Sequence, residues 1–467
     1  MNFFDRKYLP FISLFIIVFI SRIPFLFAGY GVEEDSWGIA LAAYHTKLTG
    51  IYEPSRFPGH PVQELIYSAL WGTGPFIFNL FCAFFSAVGT VIFALILKHF
   101  QFKHFFLAAL ALAFVPVYYI SSTYTIDFVW TITFILAALY CLLKNKLIFC
   151  GILLGLAIGC RITSGAMLLP FMIIIWKKDD WSYNFKSLLK IGLSMSFVAF
   201  LAYLPLITQF GFSFFMYYDQ FPYPPFTKVM YKMIIGTFGV VGTLALLISI
   251  ASVIIKRNKA TAASFVIHPD KRIILSCFLI IGLFVISYFR LPQKSGYMIT
   301  IIPFLILLMG YYLNSKMFRF LCVSFMLSSF IFSINLTDKL RGAEHSELAI
   351  IFKISGQEIF FDPLSGPVFS DYSKRRQKID YTEEVISKTK GIPEKTVVIA
   401  GWWYNEIMVT MIPEVSTGPV LFESYIDSLK MSEYVSQGYK IKYLPEQNKY
   451  NDQMFGIKVT DRFSEAF

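Results

Sequence analysis

The sequence predicts an all-α polytopic membrane protein of about eleven transmembrane helices, with a small α/β extracytoplasmic C-terminal domain. Two observations carry this prediction. Of the 467 residues, 56% are apolar and only 15% are charged, whereas an ordinary soluble domain carries about 25% charged residues. Long apolar runs also follow one another through the first 334 residues. We therefore expect lipid to be the solvent of most of the chain.

Apolar runs of about 17–25 residues are long enough to cross a bilayer as helices. Nine such runs lie at 11–28, 76–97, 105–121, 128–143, 187–209, 233–255, 273–289, 297–314 and 316–334. A tenth stretch, 147–176, is interrupted by the charged Arg161. A charge in the middle of an apolar stretch predicts two short helices that meet at a turn. Counting both halves gives the predicted eleven.

The net charge of +11 is unevenly distributed. Residues 335–467 hold 16 Lys and Arg against 19 Asp and Glu, and residues 1–334 hold 25 against 11. The basic excess falls in short loops between apolar runs, so it indicates membrane topology and no nucleic-acid partner. Seventeen of these basic residues lie on one side and seven on the other, which predicts a cytoplasmic N-terminus and an extracytoplasmic C-terminal domain in an inner or plasma membrane.

The segment after the predicted spans has globular polarity. We expect residues 1–334 to form the transmembrane catalytic domain and residues 335–467 a separate extracytoplasmic domain. In the latter, 396–401 is typical of a buried strand, 438–444 of an edge strand and 424–437 of a helix. The aromatic-rich stretch 401–406 either binds a glycan or packs in the core.

Acidic residues cluster where the first span ends. Glu33, Glu34 and Asp35 are consecutive, and three carboxylates beside lipid are costly. They open a loop of about 45 residues with two helix-like pieces, and long loops in compact proteins are usually functional. Asp127 stands on the same predicted side at the start of a later span. It is either a second acid of the site or the N-cap of that helix.

Basic and aromatic side chains fall on the same predicted face: Arg161, Tyr218, Arg290, Lys294 and Tyr297. Guanidinium groups match the geometry of phosphate oxygens, and a nearby carboxylate can accept a proton from an attacking hydroxyl. Together these groups provide what glycosyl transfer from a phospholipid carrier requires.

These motifs, in this order, resemble the GT-C superfamily of polytopic glycosyltransferases, in particular its protein O-mannosyltransferase and aminoarabinose lipid A transferase branch. Glu34-Asp35 is similar to the acidic pair that follows the first span in that family. Likewise, 56–61 is similar to the turn before its second loop helix, Asp127 to a second-loop acid, 155–170 to a Gly-rich helix pair with its Arg161, and 292–303 to the donor-facing loop. The resemblance covers residues 1–334.

The resemblance implies a sugar transferase whose donor is a polyprenyl- or dolichyl-phosphate sugar and whose acceptor is a protein, a lipid or a glycan. Reaction would be a single inverting displacement. Glu34 or Asp35 would act as the base, and Asp127 would be a second acid that contacts the acceptor or a metal. The implied contacts of the donor phosphate are Arg161, Arg290, Lys294 and Tyr297, and further substrate contacts are Glu33, Arg56, His60 and Tyr218.

No cofactor follows from the residues, although a divalent metal near Asp35 and Asp127 is known in the superfamily. Two functions of other classes compete with glycosyl transfer: a lipid or glycan transporter (flippase), and a non-catalytic membrane subunit that binds glycans. A transporter is disfavoured because the chain has no detectable repeat and its charges gather at one surface.

Overall fold

The computed structural model describes residues 8–213, 223–255, 270–336, 348–354, 357–412, 419–445, 447–455 and 464–466. Tyr218, one of the expected substrate contacts, lies outside these described residues.

The described residues before 330 form fifteen α-helices: α1 Leu9–Arg22, α2 Glu34–Thr49, α3 Pro61–Ala69, α4 Pro75–His99, α5 Phe105–Phe114, α6 Pro116–Ser121, α7 Phe128–Leu143, α8 Leu147–Cys160, α9 Leu168–Ile175, α10 Trp181–Phe210, α11 Phe226–Met233, α12 Ile235–Ile255, α13 Lys271–Arg290, α14 Ile302–Tyr312 and α15 Ser315–Leu327. Three 3-10 helices extend them at Ile23–Phe25, Ile162–Met167 and Ser295–Ile301.

Helix covers most of every predicted span, so the helical character of the first part is confirmed. The last span, 316–334, was predicted too long, because its helix ends at Leu327 and a strand begins at Ser333. Five helical stretches in the described residues are long and apolar enough to cross a membrane, namely α4, α10, α12, α13 and Ser295–Tyr312. The remaining apolar helices are shorter, so eleven membrane crossings stay a prediction. Likewise, the sidedness inferred from Lys and Arg stays a prediction.

Two predicted spans are bent by particular residues. The run 105–121 is two helices, because Pro116 begins α6 and leaves Val115 in an extended conformation (ψ 138°) between α5 and α6, as the residue before a proline prefers. Inside α12, Gly239 has a φ of 67°. A Cβ there would lie 2.3 Å from Oγ of Ser328, so glycine is needed both for the backbone conformation and for the close approach.

The core of the helical part is apolar and aromatic, but it contains one fully buried arginine. Arg22 ends α1 and donates to the Ser122 hydroxyl at 2.9 Å and to the carbonyl of Ala113. Its guanidinium lies 4.0 Å from the centre of the Tyr119 ring. These contacts compensate the burial of the charge, so Arg22 holds α1 against the α5–α6 break.

The C-terminal part is mixed α/β. Its helices are α16 Pro367–Lys390, α17 Tyr404–Met411, α18 Ser428–Ser436 and α19 Gln447–Phe455, and the strands are β1 Ser333–Leu336, β2 Ile350–Ile354, β3 Gln357–Asp362, β4 Thr396–Ile399, β5 Val420–Glu423, β6 Lys440–Tyr443 and β7 Ser464–Ala466. An antiparallel sheet has the order β1-β3-β2, and a parallel sheet has the order β5-β4-β6-β7.

The parallel sheet confirms the buried strand at 396–399, which lies between two neighbours. The prediction of an edge strand at 438–444 is wrong, because β6 pairs with both β4 and β7. Its alternation arises from two differently covered faces: Ile441 and Tyr443 are buried against α18, while Lys440 is exposed.

Helix α16 joins the two parts of the chain through buried cations. Arg375 is 1% exposed and donates to the carbonyl oxygens of Phe25 at 3.1 Å and Thr123 at 2.9 Å. Lys378, 3% exposed, donates to the carbonyl of Val32 at 3.1 Å and pairs with Glu406 at 3.0 Å. The C-terminal part is thereby anchored to the loop that carries the acidic cluster.

Candidate active site

The acidic cluster lies where α2 begins. Glu33 is the extended N-cap residue, and Glu34 and Asp35 occupy the first turn, where negative charge is favoured by the helix dipole. Asp35 pairs with Lys294 and, at 3.1 Å, with Nε of Arg56. The Lys294 ammonium also lies 2.6 Å from Glu33. One lysine from a distant loop therefore bridges two of the three acids.

Asp127 is the centre of a second set of ion pairs. It is fully buried, and its two oxygens accept from Arg56 at 2.8 Å and from Arg161 at 2.7 Å. Its side chain makes no capping bond to α7, so the capping role is not what the structure shows. Because Arg56 also contacts Asp35, the two acid sites form one continuous network.

The turn that presents Arg56 is organised by Glu64, which is 2% exposed. The carboxylate of Glu64 accepts from the backbone N–H of Ser55 at 3.1 Å and of His60 at 2.9 Å, and also from the Tyr52 hydroxyl. An ionised carboxylate that accepts several donors is a strong local anchor. Glu64 therefore fixes both ends of the segment that carries Arg56.

Arg161 stands at the junction predicted from its charge, between α8 and the following 3-10 helix. Its guanidinium lies 4.6 Å from the ring centre of Tyr297 and 4.8 Å from that of Phe128. This aromatic contact and the pair with Asp127 restrict the guanidinium to one orientation.

The charges of the network alter the pKa values of its members outside the membrane helices. Burial alone would raise the pKa of Asp35, but Arg56 and Lys294 lower it to about 2. Burial also opposes the charge of Asp127, yet His60, Arg161 and Arg56 hold the pKa of that carboxyl below its usual range. Burial, and then the charge of Arg56, lower the pKa of His60. At neutral pH both carboxylates are ionised and His60 is neutral.

A cavity of about 1300 Å³ opens beside this network. Of the residues predicted for the site, it is lined by Glu34, Asp35, Arg56, His60, Arg161, Arg290, Lys294 and Tyr297. Asp127, the predicted second acid, does not line this cavity: it is 0% exposed, because Arg56 and Arg161 cover both of its oxygens. Glu33 lines a smaller cavity of about 280 Å³ on the other side of Lys294.

The donor set of the site does not fit a divalent metal. Among the residues that the structure describes, no group of three or more His, Cys, Asp and Glu side chains is arranged as a metal site. Asp35 is bound by Arg56 and Lys294, and Asp127 by Arg56 and Arg161. A cation would have to displace these groups, so no step below is assigned to a metal.

A second wall of the large cavity comes from the C-terminal part. It consists of Trp402, Asn405, Ser424, Tyr425, Met454 and Phe455. Of these, only the stretch 401–406 was singled out in the sequence, by its aromatic residues. Glu64, Arg375 and Lys378 were missed as well, because a single charge in a polar helix gives no sign that it is buried.

No protein-family model matches the sequence, and no curated protein matches it. Two solved structures are similar in fold. One is ArnT from Cupriavidus metallidurans bound to undecaprenyl phosphate, with a TM-score of 0.56 at 12% identity, covering 91% of this chain and 88% of that one. The other is ArnT from Cupriavidus metallidurans in the apo state, with a TM-score of 0.54 at 10% identity, covering 94% of each chain.

ArnT is an aminoarabinose lipid A transferase of the GT-C superfamily. The similarity extends over about nine tenths of the chain, so it includes the C-terminal part as well as the helices. The resemblance inferred from the five sequence motifs is thereby confirmed at the level of the fold, which is GT-C-like and is that of an integral membrane protein.

Proposed function

We propose that this chain, which has a GT-C-like fold, is a membrane glycosyltransferase that moves a sugar from a polyprenyl-phosphate carrier to an acceptor in the large cavity. The observation that carries the proposal is the lining of that cavity. Four cations share it with the carboxylates Glu34 and Asp35: Arg56, Arg161, Arg290 and Lys294. That one similar structure, ArnT, is bound to undecaprenyl phosphate supports a lipid phosphate as the ligand of the cations.

Phosphate recognition falls to side chains that already bind carboxylates. Lys294 and Arg56 contact Asp35 in the free protein, and a phosphate oxygen resembles a carboxylate oxygen in charge and hydrogen bonding. An incoming lipid phosphate would share these cations with Asp35. As the leaving phosphate gains charge in the transition state, cations held in place stabilise it without reorganisation.

The reaction is a single inverting displacement. An acceptor oxygen attacks the anomeric carbon, and the bond from that carbon to the phosphate oxygen breaks. The electron pair of this bond stays on the lipid phosphate, and the proton of the acceptor passes to a carboxylate. Of the two candidates we assign the proton to Glu34, because a carboxylate whose pKa lies near 2, as for Asp35, is a weak base. Asp35 instead positions Arg56 and Lys294.

The test uses the purified full chain in proteoliposomes with a panel of undecaprenyl-phosphate-linked hexoses and pentoses. Release of undecaprenyl phosphate, which requires an acceptor, is measured by mass spectrometry. Glu34→Gln should lower kcat by about 10²–10⁴-fold and leave the binding of undecaprenyl phosphate unchanged. Asp35→Asn should lower kcat and also weaken the binding of undecaprenyl phosphate, because Arg56 and Lys294 lose the carboxylate that positions them.

The same assay separates the alternatives. Movement of an intact donor between leaflets, without release of undecaprenyl phosphate, would instead identify a flippase. Binding without turnover across the whole donor panel would identify a non-catalytic subunit. Equal turnover in wild type and Glu34→Gln would contradict the assignment of Glu34 as the base.

A further inference from the structure

The large cavity has two chemically different walls. The helical part contributes six charged groups, Glu34, Asp35, Glu53, Arg56, Arg161 and Lys294, with Arg290 at the rim. The described residues of the C-terminal part contribute aromatic, amide, hydroxyl and apolar side chains and no charge. This division predicts two ligand groups of different character that meet in one cavity.

The aromatic side of the C-terminal wall is pre-organised by a buried amide. Gln447 is 1% exposed, and its Oε1 accepts from the hydroxyl of Tyr425 at 2.9 Å. Gly401 precedes Trp402 with a φ of 54°, and a Cβ there would lie 2.0 Å from the same Oε1. The left-handed glycine thus makes room for the amide that holds Tyr425 next to Trp402.

This wall also touches the acidic cluster directly. The side-chain amide of Asn405 lies 3.5 Å from the carbonyl oxygen of Glu34, and a Cβ on Gly38 would lie 3.1 Å from the same amide nitrogen. Helix α17 therefore packs on the first turns of α2. A ligand held by the C-terminal wall is next to Glu34.

We propose that Trp402, Tyr425 and Asn405 form a carbohydrate subsite that holds the sugar ring of the acceptor. This inference rests on the proposed function, whose acceptor it narrows to a glycan. A pyranose has an apolar ring face, which suits a rigid aromatic side chain, and a polar edge of hydroxyl groups, which suits an amide that both donates and accepts. Among the described residues of this wall, the polar groups are neutral amides and hydroxyls, which suit the hydroxyl groups of a sugar.

In this proposal the acceptor hydroxyl lies at the uncharged part of the lining, next to Glu34, and the donor phosphate lies at the cations. In an inverting displacement the nucleophile and the leaving phosphate lie on opposite sides of the anomeric carbon. The uncharged wall and the charged wall provide these two positions, with Glu34 next to the nucleophile side. The geometry therefore gives each wall one of the two substrates.

The test measures binding of soluble oligosaccharides by the purified full chain in nanodiscs, using a glycan array of neutral and acidic sugars printed beside Ser/Thr-rich peptides. We expect at least one oligosaccharide to bind. Trp402→Ala and Tyr425→Ala should each weaken that binding by about tenfold or more, the loss typical of one buried aromatic anchor. Trp402→Phe should restore most of it, because a flat ring is retained.

Trp181→Ala is the matched control, because Trp181 is 72% exposed and lies outside the cavity lining. Undecaprenyl phosphate binding, followed by native mass spectrometry, should stay within twofold in all four variants. The inference is overturned if the array shows peptide binding only, if no oligosaccharide binds, or if Trp402→Ala and Tyr425→Ala bind glycans as wild type does. Failure of the proposed function looks different: wild type would then not bind undecaprenyl phosphate, whatever the array shows.

Discussion

Arg161 Nη1 lies 2.7 Å from Oδ2 of Asp127, and the second carboxylate oxygen of Asp127 accepts from Arg56. The three residues come from different segments, and the acid between them is fully buried. Because each oxygen of Asp127 binds one of the two arginines, the carboxylate fixes their separation. Asp127 thus acts as the internal brace of the cationic wall without touching the cavity.

We expect Asp127→Asn to destabilise the protein by about 3–5 kcal/mol, because it removes the buried anion that two partly buried guanidinium groups share. Unfolding in detergent, followed by the thermal midpoint, measures this change. The double variant Asp127→Asn with Arg161→Gln should recover part of the loss, since it removes one of the uncompensated charges. Equal midpoints for wild type and Asp127→Asn would contradict the bracing role.

Lys294→Met should weaken undecaprenyl phosphate binding by about tenfold or more, because it removes an ammonium from the cavity wall and leaves Asp35 and Glu33 to repel the phosphate. Native mass spectrometry of the purified variant measures the affinity. Lys47→Met is a matched control: it makes the same change of charge at the exposed end of α2, outside the cavity lining. Equal affinities of the two variants for undecaprenyl phosphate would show that Lys294 does not contribute to the phosphate site.

The lowered pKa of Asp35 predicts a particular dependence of stability on pH. Its folded pKa of about 2 lies below the ordinary value of 3.8, so its contribution to stability is present above about pH 4 and is lost as the pH falls from about 4 to about 2. The difference in thermal midpoint between wild type and Asp35→Asn should decrease as the pH falls through that window. The same difference should stay constant between pH 5 and pH 7.

His60 also affects the dependence of stability on pH, but at higher pH. Its pKa is lowered on folding, so the unfolded chain binds its proton first and stability declines as the pH falls below about 6.5. Because this decline occurs in both proteins, the comparison with Asp35→Asn cancels it. If the difference in thermal midpoint between wild type and Asp35→Asn already changes between pH 7 and pH 5, Asp35 is not held ionised by Arg56 and Lys294.

Chelation should not affect turnover. The carboxylates of the network are already bound by Arg56, Arg161 and Lys294, and we propose that these cations take the place that a divalent ion has in other enzymes. Treatment with EDTA, followed by dialysis into metal-free buffer, should leave release of undecaprenyl phosphate within twofold of the untreated value. Loss of release that Mg²⁺ or Mn²⁺ restores would contradict this proposal.

Lys378→Met should lower kcat by about tenfold or more while the chain stays folded. The carbonyl of Val32 loses its hydrogen-bond donor, so the acids that follow it are no longer held in position. It also leaves Glu406 buried without its cation, so Lys378→Met with Glu406→Gln is the appropriate comparison. If the double variant regains its thermal midpoint but not kcat, the role is positioning. If kcat returns with stability, the pair is purely structural.

The sequence predicted the helices and several of the residues that line the large cavity, for identifiable physical reasons. Charges such as Arg161 are costly in apolar stretches, so their presence alone indicates a turn or a function. The acids Glu33, Glu34 and Asp35 were visible for the same reason. Their convergence with Lys294, some 259 residues away, followed from the order of the motifs and from the side of the membrane assigned to each.

The parts that were missed depend on packing between distant segments. The burial of Asp127 arises because Arg56 reaches it from a loop 71 residues earlier, which no local pattern indicates. In the C-terminal part, β6 has the alternation of an edge strand but is internal. Polar helices such as α16 give no local signal for which of their many charges are buried, so Lys378 was not distinguished from its exposed neighbours.

The contact from Lys378 to Val32 has a consequence for biosynthesis. Val32 leaves the ribosome some 346 residues before Lys378, which binds its carbonyl oxygen. At about 5–20 residues per second, well over ten seconds pass between the synthesis of these two residues. The helices between them are therefore synthesised while the acidic cluster still lacks this contact, and the cluster reaches its final backbone position only after Lys378 has emerged.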